Sequence, residues 1–351
     1  DRTPPELVVF EAVEPDDPRR VRVAASDRTS GVAGGSVEVR RLGGSPAAAG
    51  DGWIALRTVR DGDRLLAAID DEALPRGVYQ LRAHAVDVAG NEAIGDRRRD
   101  GSVATFDTAT LRSETRLAAG LVTPEAKARR TCVRRPGGRK RCRKAPSPAV
   151  GGALVATLTV PFGKPASARG TLATAGGAPI PGAPVDVLAR AASAGSSFAV
   201  VDRRRTDAAG NVAYTVRPGP GRVIRFRYAG SPRERGSQGE VTVKVPAVTT
   251  IRPGRRAVRN GQRVTFAGRL RTQPIPRAGK LVDLQAFYRG RWRTFATPRA
   301  AAPGGAWRYV YRFGATRGRV TYRFRAVVRP ESGYAYELGY SKVVRVGVVG
   351  R

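Results

Sequence analysis

Residues Gly77 to Asn91 read Gly-Val-Tyr-Gln-Leu-Arg-Ala-His-Ala-Val-Asp-Val-Ala-Gly-Asn, and no other stretch restricts the fold as tightly. Tyr79, Leu81, Ala83 and Ala85 fall on one face and Gln80, Arg82 and His84 on the other, the two-residue period of a half-buried strand. The run opens on a Gly-x-Tyr corner and closes on Asp87-x-x-Gly90-Asn91, a turn sequence. A tyrosine at the start of such a strand, with its hydroxyl turned back onto the preceding corner, belongs to two-sheet antiparallel sandwiches.

The rest of the chain agrees. Glycine (42) and proline (25) are too frequent for a helical protein and suit many short strands joined by turns. Up to residue 108 the strand candidates are Leu7–Val13, Val21–Ser26, Ser36–Leu42, Trp53–Val59, Leu65–Ile69, Val78–Asp87 and Ser102–Asp107. Seven strands at this spacing predict a seven-stranded sandwich. Similar candidates continue from Thr115 to Val245 and from Val264 to Val349, and no segment keeps a helical period. The 351 residues therefore divide into three all-β units, 1–108, 109–246 and 247–351. No run of 18 apolar residues exists, so no membrane-spanning helix is expected. The chain starts at Asp1 and contains no methionine, and targeting signals are expected to lie outside it.

The second and third units read as copies of one another. Gly163, Gly170 and Leu172 match Gly261, Gly268 and Leu270, and Arg225-Phe226-Arg227 matches Arg323-Phe324-Arg325. Pro179-Ile180-Pro181 matches Pro274-Ile275-Pro276, and Val185-Asp186 matches Val282-Asp283. A period near 100 residues is that of a domain array.

On these motifs the chain resembles a family. Asp27-x-x-Ser30-Gly31-Val32, followed by Gly77-x-Tyr79 and Asp87-x-x-Gly90-Asn91, is similar to bacterial immunoglobulin-like repeat modules of secreted and surface proteins. The second and third units resemble immunoglobulin-like or carboxypeptidase-regulatory-like modules, with Thr206-Asp207-x-x-Gly210 as the local signature. The resemblance implies three tandem immunoglobulin-like sandwiches from an exported, extracellular or surface-attached protein. Such modules serve as stalks, adhesins and accessory parts of exoenzymes, and the fold alone does not choose among these roles.

Charge is uneven. Residues 1–108 carry 15 basic and 19 acidic side chains, and the remainder carries 48 and 10. Arginine outnumbers lysine 56 to 7. Two readings compete: an arginine-rich codon bias decorating solvated faces, or a surface that binds polyanions. The densest cluster is Lys127–Lys144, ten basic residues in 18 without an acid, within an insertion at about 124–149. Inside it Cys132 and Cys142, the only cysteines, flank a Pro-Gly-Gly turn. Local pairing in an oxidising compartment is the natural expectation, closing a basic hairpin. Arg134, Arg135, Arg139, Lys140 and Arg141 are then the candidate polyanion contacts. Two sulfurs are half of a zinc shell, and the spacing is not Cys-x-x-Cys, so neither a metal nor a redox role is favoured.

Signs of catalysis are few. His84 is the sole histidine, set on the outward face of its strand, and no nucleophile elbow, phosphate loop or metalloprotease motif occurs. The chain is expected not to be an enzyme and to need no cofactor. Asp27, Asp87 and Asn91 offer hard oxygens for calcium, or each caps its own turn. Trp53, Trp292 and Trp307 lie on predicted strands and are expected in cores. Tyr334, Tyr336 and Tyr340, with Arg329 and Arg345 nearby, either pin a loop or form a stacking platform. The expected partners are anionic polymers or glycans of a cell wall or matrix, with nucleic acid held only non-specifically. Structural or adhesive modules are the first reading, and a polyanion- or carbohydrate-binding accessory region of an exoenzyme is the second.

Overall fold

Why the Gly77–Asn91 run is a strand is plain in the computed structural model, where Val78–Asp87 buries every second side chain. Tyr79, Leu81, Ala83 and Ala85 are each no more than 3% exposed. The Tyr79 hydroxyl donates to the Pro75 carbonyl at 2.9 Å, and its ring stacks on Phe106 at 5.4 Å. The structure describes residues 1–43, 52–124, 130–134, 140–144 and 152–350. Among them there is no helix, and the fold is tandem immunoglobulin-like β-sandwiches.

The chain divides into two compact units. The first comprises residues 1–115 with 174–178 and 229–237. One of its sheets runs Leu7–Phe10, Arg20–Ser26, Arg64–Ala68, Thr58–Asp61. The other runs Ile54–Leu56, Val32–Arg41, Val78–Asp87, Glu92–Gly95, with Thr105–Asp107 also on Val78–Asp87. Phe10, Val23, Val37, Leu65 and Tyr79 fill the core between them. Each such side chain stabilises by roughly 1.5–3 kcal/mol relative to exposure.

One expectation is corrected here. Trp53–Val59 is not one strand. It breaks at Arg57, so that Ile54–Leu56 pairs with Val37–Val39 in one sheet and Thr58–Asp61 pairs with Arg64–Ala67 in the other. Thr58 makes the crossing: its Oγ1 accepts from the Val37 amide and donates to the Leu56 carbonyl, both at 3.0 Å. Glu92–Gly95 is a further strand that its sequence did not signal.

The second unit, residues 116–173, 179–228 and 238–351, holds two sandwiches built alike. In one, a sheet ordered Leu154–Val155, Thr115–Val122, Ala166–Thr174, Asn211–Val216 accompanies a sheet ordered Thr157–Thr159, Ser237–Lys244, Arg222–Tyr228, Pro184–Ala191, Ala199–Arg205. In the other, the orders are Arg252–Pro253, Arg263–Arg269, Ala306–Arg312 and Ala257–Arg259, Val344–Val349, Arg319–Val328, Asp283–Tyr288, Arg291–Ala296. Both place a short strand parallel to the last one, and both carry a register shift at matching points, Val187/Leu188 and Leu284/Gln285.

The matching glycines have a shared cause. Gly170 faces Val212 and Gly268 faces Trp307 across the sheet, and a Cβ on either glycine would strike that side chain. Gly210 and Gly305 both sit at positive φ (73° and 71°) and accept from the amides of Leu172 and Leu270. The buried core runs without interruption from Leu117 to Val348.

Candidate functional site

The sequence singled out four places, and the structure treats them differently. In the basic insertion, Arg130–Arg134 pairs antiparallel with Lys140–Lys144, and the register sets Cys132 opposite Cys142 and Arg134 opposite Lys140. Directly opposed residues of an antiparallel pair have Cα atoms about 4.5–5.5 Å apart, inside the range a disulfide spans. Arg135, Arg139 and the Pro-Gly-Gly turn lie outside the described residues. We propose that the two sulfurs pair, and thiol titration of the unfolded, unreduced protein is then expected to find no free thiol. Two reactive thiols would overturn the pairing. Closing so short a loop contributes roughly 3 kcal/mol, local to the hairpin, so the sandwich body should survive reduction.

At the Asp-x-x-Ser-Gly and Asp-x-x-Gly-Asn turns, Asp27 and Asp87 do come together, and Asp1 joins them. One carboxylate oxygen of each lies within 4.8 Å of the others. The Thr29 hydroxyl (2.6 Å) and amide (2.7 Å) and the Ser30 hydroxyl donate to Asp27, holding its carboxyl below the usual range. Burial pushes Asp87 up, but the side chain and amide of Asn91 donate to it, both at 2.7 Å, and its pKa falls on balance. Asn91 turns its nitrogen, not its oxygen, to Asp87 and acts there as a donor. Asp1 escaped sequence reasoning because no local motif marks it.

Among the tyrosines, Tyr334 and Tyr336 are 2% and 4% exposed, whereas Tyr340 is 49% exposed. Tyr334 shares a hydrogen bond of 2.5 Å with the Thr272 hydroxyl, and the Tyr336 hydroxyl donates to the Gln273 carbonyl. Their rings lie 4.9 Å apart, with Phe162 against Tyr336. Backbone bonds tie the same loop to the preceding sandwich: Gly221 to Ala335, Ala247 to Glu337, Glu337 to Val245. A Cβ on Gly339 would collide with the Ala247 carbonyl. The loop is a built joint between two sandwiches of one unit.

Burial pushes the Tyr334 phenol far up and raises Tyr336 as well. A raised value means that the fold favours the neutral phenol. The contribution is intact below the ordinary value of 10.0 and is lost as pH climbs above it. Alkaline titration of phenolate absorbance is expected to show a step that appears only on unfolding, and Tyr334→Phe should diminish it. A Tyr334 step in the folded protein near the ordinary value would contradict the joint's geometry.

The tryptophans correct an expectation. Trp307 is core at 3% exposure. Trp53 and Trp292 instead lie outward under guanidiniums: Arg82 and Arg40 stand 4.1 and 4.7 Å from the Trp53 ring, and Arg325 4.3 Å from Trp292. His84 is half-buried beside Glu38 at 3.4 Å. The residue pairings that make these stacks are long-range, so no local spacing announced them.

No family model and no curated protein matches the chain. Solved structures do. A tetra-tandem repeat from the extending region of a large adhesion protein aligns over 97% of this chain and 74% of its own, at 11% identity and a TM-score of 0.36. The Escherichia coli adhesin FdeC aligns over 100% of both chains at 12% identity and 0.29. The FN1–FN3 domains of chicken CNTN1 align over 99% and 98% at 9% identity and 0.23. The assignment of the fold rests on the sheets themselves.

Proposed function

We propose that this chain is a non-catalytic array of three immunoglobulin-like modules, 1–108, 109–246 and 247–351, from a secreted or surface-attached bacterial protein. It spaces and presents adhesive surface outside the cell. The observation that carries the reading is the joint at Tyr334, Tyr336 and Gly339, which continues one core across two modules. Freely tethered modules need no such joint, whereas a presenting array gains from fixed geometry. The excess of basic side chains after residue 108 suits anionic polymers or glycans as the surface contacted. The described residues contain no helix that could cross a membrane.

The test uses the full chain coupled to beads. Beads are expected to be retained on anionic cell-wall polymers or acidic glycans, while mass spectrometry finds those polymers uncleaved. Turnover of any of them, or retention on none, would overturn the reading.

A further inference from the structure

Each sandwich sets an aromatic ring at the edge of the equivalent sheet and lays arginines from neighbouring strands over it. Trp53 lies under Arg40 and Arg82, Phe198 under Arg225 (3.9 Å) and Arg190 (5.1 Å), and Trp292 under Arg325. In the first two sandwiches an acid neutralises the stack. Arg82 meets Glu38 at 2.6 Å, and Arg225 meets Glu240 at 2.5 Å.

The third departs from this. Its last strand aligns Val344, Val346 and Val348 with Val241, Val243 and Val245 of the second, which puts Val343 where Glu240 stands and Arg345 where Thr242 stands. The acid is gone and a cation is added. Arg323 lies directly opposite Arg345 in the antiparallel register, and both are exposed. Among the described residues neither forms an ion pair, and Arg325 bonds only the neutral Gln285, at 2.9 Å. Like charges directly opposed on adjacent strands cost stability, and an anion between them relieves that cost.

The stacks also decide how the face can bind. Arg323 covers Phe287 at 3.9 Å, and Arg325 stands over both Trp292 and Tyr340, the latter at 4.5 Å. Each guanidinium covers one face of its ring, and among the described residues Arg323 and Arg345 keep their edges free of ion pairs. A stacked guanidinium is oriented in advance, so less freedom is lost when its fork takes a carboxylate or sulfate. The exposed side of Tyr340 suits the apolar C–H face of a pyranose ring. Beyond Arg345 the face opens into a groove of ≈ 650 Å³ that adds Arg252 and Arg256. Strands spaced about 4.8 Å apart make this a track about 20 Å long.

We propose that this outward face of the third sandwich binds an acidic polysaccharide, a linear glycan carrying carboxylate or sulfate groups, through Arg323, Arg345 and Tyr340. The inference rests on the adhesive-array reading and supplies its contact surface.

The test measures binding of the full chain to polygalacturonate, heparin, neutral dextran and single-stranded DNA at low and near-physiological salt. Arg323→Gln with Arg345→Gln is compared with Arg169→Gln with Arg217→Gln, two exposed arginines of the second sandwich. The first pair is expected to lower affinity for polygalacturonate or heparin by about tenfold or more at the higher salt, and the control pair to change it by less than about threefold. Tyr340→Ala should weaken polygalacturonate while leaving inorganic polyphosphate unchanged. Equal losses from both pairs would mean generic charge and overturn the site, as would DNA bound as tightly as the glycans. If beads bearing the Arg323→Gln, Arg345→Gln chain are retained on the wall polymers as well as the unaltered chain, the site falls and the array reading stands. If the unaltered chain is retained on nothing, the array reading itself fails.

Discussion

Replacing Asp71 by alanine is expected to cost the first unit about 3–5 kcal/mol, the penalty for stranding buried cations without their counter-charge. The Asp71 side chain is 1% exposed and takes Arg112 at 2.9 Å and Arg235 at 2.7 Å, whose side chains are 4% and 14% exposed. Glu72 and Glu114 sit at the rim of the cluster. Burial works against the Arg112 charge, yet the bonds from Glu72 and Asp71 more than offset it and raise its pKa. Alanine leaves both guanidiniums facing an emptied site. Urea unfolding followed by Trp53, the one tryptophan of that unit, measures the effect. A loss under about 1 kcal/mol, the scale of an exposed pair, would show the cluster to be hydrated.

Trp307→Ala should be comparably severe in the second unit, about 3–5 kcal/mol by the usual cost of emptying a large aromatic site. The ring packs onto Gly268, and its Nε1–H donates to Thr249 Oγ1 at 3.1 Å. The equivalent place in the preceding sandwich holds Val212 over Gly170. Val212→Ala removes far less volume and should cost much less. Equal shifts in the urea midpoint for the two variants would contradict the packing described for Trp307.

What was legible in the sequence was local. The Tyr79 corner and its strand are written in a two-residue period with a glycine and a turn at the ends. The duplication was legible because Gly170 and Gly268 sit where a Cβ would strike a neighbouring side chain, and the Pro-Ile-Pro segments repeat at the matching place. The break at Arg57 was not, because Trp53–Val59 holds no glycine, proline or other turn residue and only the Thr58 bonds mark the crossing. Asp71 finds its partners 41 and 164 positions away, and Trp53 draws arginines from two other strands. The aromatic stacks looked like core from sequence because a strand tryptophan is packed by default, and only the register reveals which face it takes. At the acidic turns, Asp27 and Asp87 were marked by their own motifs, while Asp1 arrives through the course of the chain.

The parallel pairings of Thr157–Thr159 with Thr242–Lys244 and of Ala257–Arg259 with Gly347–Val349 have a mechanical consequence. Because an early strand and the last strand of each sandwich run the same way, tension carried between those two drags them past each other lengthwise. Their hydrogen bonds then bear the load in shear, all at once. An antiparallel pair tugged from one end would instead part bond by bond, at far lower tension. In both duplicated sandwiches this pair is thereby set to resist being pulled apart along its own length.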